Sequence, residues 1–189
     1  NSGYQENTDL FVFPYDWRLD IRTTSNNLKT KIDSVKSQTA SSKVDIVGHS
    51  MGGLLAKQYV LDNGSSSLNK LLFIGTPHLG APLAAKALLF GDNLNVKIMF
   101  PFLDPERVKY ISQNMLAIYE LLPSRAYIDQ EYYYYDHTQS DVFDYDRTKQ
   151  FLTGFGLSPT LLQSADSFHS SVFDNFNTAG LDAYNINGC

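Results

Sequence analysis

The residues with the clearest chemistry are Gly48-His49-Ser50-Met51-Gly52, preceded by the apolar run Val44-Asp45-Ile46-Val47. A serine hydroxyl is a weak nucleophile at neutral pH and must be exposed to a neighbouring base. The pattern predicts a buried strand over 43–47, a sharp turn with Ser50 at its tip, and a helix over 51–63. The turn forces strained backbone angles on Ser50. Gly48 and Gly52 then remove side chains that would strike the flanking strand and helix, and Gly53 lets the helix pack closely on the sheet. Ser50 also stands at a helix N-terminus, where unpaired N–H groups and the dipole favour the negative charge of a tetrahedral intermediate. The N–H of Met51 is the natural first oxyanion donor. The chemistry implied is acyl transfer through a serine ester.

G-x-S-x-G set between a strand and a helix is the nucleophile elbow of the α/β-hydrolase fold. The elements that must position it can be read along the chain. Asp9-Leu10-Phe11-Val12-Phe13-Pro14 is an apolar run stopped by proline and predicts a buried strand over 9–14. Tyr15, Asp16, Trp17 and Arg18 follow as a loop at that strand's C-terminal end, the ligand-binding edge of α/β sheets. Thr24 or Ser25 is expected to cap a helix with Leu28, Ile32 and Val35 on one face. After the elbow, Leu54, Leu55, Tyr59 and Val60 fall at helical spacing, and Asn63-Gly64 closes the helix. Lys70 to Ile74 predicts another buried strand, ending in Gly75-Thr76-Pro77-His78-Leu79-Gly80. Alternation of this kind implies a parallel sheet flanked by helices.

Residues 81–180 break that rhythm with helical, aromatic-rich sequence. Asp104-Pro105 opens a helix whose stripe is Val108, Ile111, Met115, Ile118 and Leu122, ended by Pro123. Asp146 to Phe155 reads as helical, Ser158-Pro159 starts another helix, and Ala165, Phe168, Val172 and Phe176 mark a last amphipathic one. Leu181 to Ile186 returns to strand. The expected organisation is therefore 1–80 as the central part of the core, 81–180 as a large helical cap or lid inserted over Ser50, and 181–189 as a return strand. Aromatics at 99–102 and 132–135 are candidates for an acyl-binding wall, or for ordinary cap core.

Composition narrows the classes of function. The net charge of −5 argues against nucleic acid, whose binders carry basic faces. No apolar run approaches the length of a transmembrane helix. Cys189 is the single cysteine, so no internal disulfide forms and the compartment cannot be read from it. Asp136, Asp141, Asp144 and Asp146 lack the glycine and terminal glutamate of a calcium loop and read as a solvated acidic stretch. No metal or cofactor is expected. Asn63-Gly64-Ser65 is a glycosylation sequon of the kind that also arises by chance.

Four histidines are present. His49 sits inside the elbow with a packing role, His78 ends a strand beside it, both are placed to line the pocket, and His137 lies in a solvated loop. The fold's chain order is serine, acid, histidine. His169, which follows several acids, is the best internal candidate for a base; the alternative is a cap-core histidine.

Several segments together resemble the lecithin:cholesterol acyltransferase-like family of lipases and acyltransferases. They are Phe13-Pro14-Tyr15-Asp16-Trp17-Arg18, Ile46 to Gly53, and Ile74-Gly75-Thr76-Pro77-His78-Leu79-Gly80-Ala81-Pro82, with weaker matches at Leu121 to Ser124 and Gly180 to Gly188. The resemblance implies a Ser50 acyl-enzyme formed from lipid carboxylic esters, with water or an alcohol as acceptor, and an extracytoplasmic location. It also implies that the chain is truncated at both ends. The catalytic acid and histidine would lie beyond Cys189, and the second oxyanion donor and a strand neighbouring 9–14 would lie before Asn1, leaving 9–14 with unpaired backbone groups. These 189 residues alone would then hydrolyse nothing. Tyr15, Asp16, Trp17 and Arg18 would shape the pocket rim; the other reading is an Asp16–Arg18 pair bracing the loop. The cap would make transient contact with a lipid interface. The alternative to an enzyme is a non-catalytic hydrolase-fold module that binds lipid or a protein partner.

Overall fold

The computed structural model describes residues 3–92, 104–130, 134–136, 140–178 and 180–188. The aromatics at 99–102, Tyr132, Tyr133, His137 and Cys189 lie outside them. The chain divides into two compact units, Asn1–His78 with Phe176–Cys189, and Leu79–Asn175.

The first unit carries a helix, α1 (Ile21–Thr39), then strand β1 (Val44–His49), helix α2 (Met51–Asn63) and strand β2 (Leu68–Ile74). Its sheet is completed by the chain's last strand, Asp182–Ile186. The order is β1, β2, then that last strand, and both pairings are parallel, with Gly48 opposite Phe73 and Phe73 opposite Asn185. Leu28 and Ile32 of α1, Ala56 and Tyr59 of α2, and Leu68, Leu71 and Phe73 of β2 form its buried core. The cap of α1 lies earlier than expected. Asp20 accepts from the Arg22 N–H at 2.8 Å, while Thr24 and Ser25 are buried inside the helix. Thr24 instead donates its hydroxyl back to the Asp20 carbonyl, a bond available one turn into a helix. Gly64 ends α2 as expected, at φ 71° with its N–H on the Val60 carbonyl.

Residues 11–14 pair with no described strand, so no strand forms over the expected 9–14, and they lack a neighbour as the resemblance implied. Burial still alternates as in a strand. Phe13 packs on the core beside Val44 and Ile46, and Val12 is 62% exposed. Side-chain pattern sets which face is buried, but a ladder needs a neighbouring backbone, and β1 stands at the sheet edge with no described strand beyond it.

The second unit holds α3 (Leu83–Phe90), α4 (Pro105–Ser112), α5 (Leu116–Glu120), α6 (Arg125–Ile128), the hairpin β3 (Tyr134–Asp136) and β4 (Asp141–Phe143), α7 (Tyr145–Gly154), α8 (Pro159–Phe168) and α9 (Ser171–Asp174). The strand Asp182–Ile186 is β5. Asp104, Ser124, Asp144 and Ser158 cap α4, α6, α7 and α8 through their side-chain oxygens. The single helix expected over 105–122 is broken at Met115, which is extended (φ −112°, ψ 108°). Tyr119, fully buried, donates its hydroxyl to the Gln113 carbonyl and so satisfies the backbone at the break. The stripe is reset there, which leaves Ile111 41% exposed while Ala117, Ile118 and Leu122 are buried. The last amphipathic helix is likewise two pieces, because His169 ends α8, and Val172 is exposed.

Candidate functional site

β1 delivers the chain to Ser50, and α2 begins at the next residue. Ser50 takes φ 52° and ψ −126°, a conformation that costs a non-glycine residue on the order of 1–3 kcal/mol. Two hydrogen bonds hold it there. The Ser50 N–H donates to the Ile74 carbonyl at 2.9 Å, and the Gly53 N–H donates to the Ser50 carbonyl at 3.0 Å. The first ties the turn to the neighbouring strand, the second to the first turn of α2. Ser50 is half-buried, and its hydroxyl does not cap α2.

The glycines around it do different work. A Cβ on Gly48 would stand 2.7 Å from the Gly53 Cα and 2.8 Å from the Gly52 carbonyl oxygen. A Cβ on Gly53 would overlap the Thr76 hydroxyl and lie 2.7 Å from its γ-methyl carbon. Gly52 differs from the expectation, because a Cβ there would meet nothing nearer than the Tyr15 hydroxyl at 3.8 Å. The close approach is between β1 and the third residue of the helix, so Gly48 and Gly53 carry the steric requirement. Met51 is buried at the first position of α2, among the N–H groups that have no acceptor within a helix.

The loop after residue 14 reaches the same place through Tyr15. Its ring stacks on Phe13 with centroids 5.9 Å apart, and burial raises its phenol above the ordinary pKa. Asp16 and Arg18 are turned on each other. The guanidinium donates from Nε to Oδ1 at 2.8 Å and from Nη2 to Oδ2 at 2.6 Å, and the Arg18 N–H adds a third bond at 3.1 Å. These bonds bring the Asp16 carboxyl down to about 2. Trp17 is half-buried between them.

His49 is exposed on the face of β1 that also carries Asp45 and Val47, so it does not pack as expected. His78 is half-buried. Its ring meets the Phe73 ring edge-on at 4.7 Å and bonds to Asn185. Burial, and secondly the charge of Lys57, hold its pKa below the ordinary value against the opposing Asn185 bond. Lys57 was not singled out from the sequence. It is buried on α2, seven residues after Ser50, with Nζ 3.4 Å from the His78 carbonyl and over the Phe176 ring at 5.9 Å. A lysine amid Leu54, Leu55, Ala56 and Tyr59 was the available signal. Thr76 was also missed; its buried hydroxyl lies against Gly53.

His169 is committed elsewhere. Its Nδ1 lies 2.9 Å from Asp174 Oδ1 and its Nε2 2.8 Å from the Glu120 carbonyl oxygen, with both side chains nearly fully buried. Asp141, Asp144 and Asp146 are dispersed. Asp141 pairs with Arg147, Asp144 caps α7, and Asp146 pairs with Arg125 at 2.7 Å. Among the described residues no group of three or more side chains is arranged to hold a metal ion, and no helix is long and apolar enough to cross a membrane.

A parallel sheet with flanking helices and a serine at a strained strand–helix turn defines an α/β protein. The family model for lecithin:cholesterol acyltransferase matches residues 1–179, and the chain belongs to that family. It is 35% identical over 85 residues to phospholipase A(1) LCAT3 of Arabidopsis thaliana, covering 42% of this chain and 19% of that protein. It is 26% identical over 106 residues to the phosphatidylcholine-sterol acyltransferase of Gallus gallus, covering 52% of this chain and 25% of that protein. The chain thus spans a quarter or less of the length of these curated relatives. Among solved structures, a chain of the Tle4–Tli4 complex matches with a TM-score of 0.62 at 16% identity, over 89% of this chain and 42% of that one, a likeness of fold.

Proposed function

We propose that Ser50 is the nucleophile of an α/β-hydrolase-fold enzyme acting on lipid carboxylic esters, as a phospholipase, lipase or O-acyltransferase. The observation that carries this reading is the Ser50 backbone, held at positive φ by bonds to Ile74 and Gly53 between two glycines of which one admits no side chain beside the other. Strain of this kind persists where function needs it. Ser50 Oγ attacks the ester carbonyl and loses its proton to a histidine base. The oxyanion is held by the Met51 N–H and a second donor. Collapse expels the alcohol, which takes that proton, and leaves Ser50 acylated. Water or an acceptor alcohol then attacks the acyl-enzyme and regenerates the hydroxyl.

We place the base and its orienting acid outside the described residues, in the order serine, acid, histidine. His169 is bound on both ring nitrogens, His78 is engaged with Asn185 and Phe73, and His49 is exposed on a strand. We assign Leu79–Asn175 the role of a cap, with transient contact to a lipid interface, and Tyr15 with Trp17 a place on the pocket rim. The same engagement of the histidines favours a second reading, a non-catalytic module that binds lipid or a protein partner.

A fluorophosphonate probe separates the two, because it reacts only with an activated serine. In a full-length parent, labelling that disappears in Ser50→Ala supports the enzyme. Absence of labelling in a folded parent that still binds phospholipid vesicles supports the module. Turnover across ester chain lengths then separates a lipid from a short-chain ester substrate.

A further inference from the structure

We propose that Thr148 anchors one buried water molecule in the cleft between α7 and α8. Thr148 lies in the interior of α7 and is 3% exposed. Its backbone N–H is used in the helix, on the Asp144 carbonyl at 2.9 Å, but its hydroxyl Oγ1 has no hydrogen-bond partner among the described residues. A threonine inside a helix ordinarily turns its hydroxyl back to the carbonyl one turn earlier, as Thr24 and Thr39 do here. Thr148 does not. A hydroxyl buried without a partner costs roughly 1–3 kcal/mol, so the site needs an occupant or a reason.

The hydroxyl's residue lines a cavity of about 20 Å³, with Leu152 on its own helix and Leu162 and Ala165 on α8. One water requires roughly 10–15 Å³ of such space and two to four polar partners. The cavity supplies them. Asp166 and Tyr145 line it too. Asp166 accepts from the Tyr145 hydroxyl through one oxygen and from the Lys149 ammonium through the other. A carboxylate accepts about four bonds, and a phenol oxygen that donates can still accept, so both retain capacity. His169, also at the lining, does not compete, since both its nitrogens are bound elsewhere. A water accepting from or donating to Thr148 Oγ1 and donating to Asp166 or Tyr145 satisfies the hydroxyl. It also adds to the contacts from Tyr145 and Lys149 to Asp166 that already join α7 to α8. The volume matches a single water.

The test compares Thr148→Val, an isosteric change that removes only the hydroxyl, with Thr148→Ser, which keeps it. A water held at the site predicts that Thr148→Val lowers Tm by about 2–4 °C while Thr148→Ser retains the water. A Tm that is unchanged or raised in Thr148→Val overturns the proposal, because that is the response of an orphan hydroxyl in a dry cavity. A second readout stands on the unmodified protein. A slowly exchanging water with a nuclear Overhauser contact to the Thr148 γ-methyl is expected, and its absence overturns the proposal even where the valine variant fails to fold.

Discussion

Thr76 lies over Gly53 so closely that a β-carbon on the glycine would overlap the threonine hydroxyl and stand 2.8 Å from its Cβ. This contact is where the loop after β2 rests on the first turn of α2, and it fixes the height of the helix above the sheet. Gly53→Ala therefore forces either the helix or the loop to move. We expect a loss of about 1–3 kcal/mol, the usual cost of overpacking. Thr76→Ala removes the two nearest atoms and should recover part of that loss in the double variant, a coupling readable by denaturant unfolding of all four proteins. Additive losses would mean that the two residues do not share the contact.

Gly52 provides the contrast. Its Cβ position is open apart from ordinary contact with the Tyr15 hydroxyl. Replacing a helical glycine by alanine gains roughly 0.5–1 kcal/mol where nothing clashes. Gly52→Ala should thus be stabilising or neutral in the same unfolding measurement, although it belongs to the signature motif. A loss comparable to that of Gly53→Ala would show that the open space is not real.

Much of the elbow was legible because its determinants are local. An apolar run, a glycine-flanked serine and an Asn63-Gly64 stop are read from consecutive residues, and Ser158-Pro159 and Asp104-Pro105 announce their helices in the same way. The parts that were not legible depend on distant partners. The break at Met115 is stabilised by Tyr119 reaching back to Gln113. The fate of His169 depends on Glu120, 49 residues away in the chain. A strand over 9–14 needs a neighbouring strand to pair with, and no pattern within 9–14 tells whether one is there; its lack was implied by the resemblance and not by those residues. Gly52 was misjudged for a related reason: the motif says where glycine occurs, and only the packing says which glycine is required.

Asp16 gives a pH prediction. Its bonds to Arg18 hold the carboxyl at about 2, below the unfolded value of 3.8. A depressed carboxylate contributes stability that is present above the unfolded pKa and is lost as pH falls through the folded one. The loop pair should therefore persist at pH 4 and titrate near pH 2, with carboxyl chemical shifts as the observable. In Arg18→Gln the midpoint should return towards 3.8. Because the pair is solvent-exposed, global stability should change little. A midpoint unaffected by Arg18→Gln would separate the carboxyl from its partner.

His78 titrates in the opposite sense to a histidine that gains an acid. Burial, then the Lys57 charge, depress its pKa, so the neutral ring is the stable form. Its contribution is present above the unfolded value of 6.5 and is lost as pH falls through the lower folded value. Lys57→Met removes the second cause and leaves the first, so the His78 midpoint should rise part of the way, as read from its imidazole proton shifts. Asn185→Ala should lower it further, because the ring's bond to Asn185 is the one influence that favours the charged ring. A midpoint that falls in Lys57→Met would mean that the ammonium does not act on the ring.

His169 and Asp174 test whether the best internal base is structural. A carbonyl carries no proton, so the Nε2 facing the Glu120 carbonyl must be the donor, and Nδ1 then faces a carboxylate in a nearly water-free site. Breaking such a pair by removing one partner costs about 3–5 kcal/mol, since the other is left buried and unpaired. Asp174→Ala should show that loss in thermal or denaturant unfolding. The same variant decides the catalytic question in a parent that labels with fluorophosphonate. If His169 only holds α8 and α9 together, labelling of Ser50 per folded molecule stays unchanged. If His169 were the base with Asp174 orienting it, an arrangement outside the serine, acid, histidine order, labelling would collapse even in the fraction that remains folded.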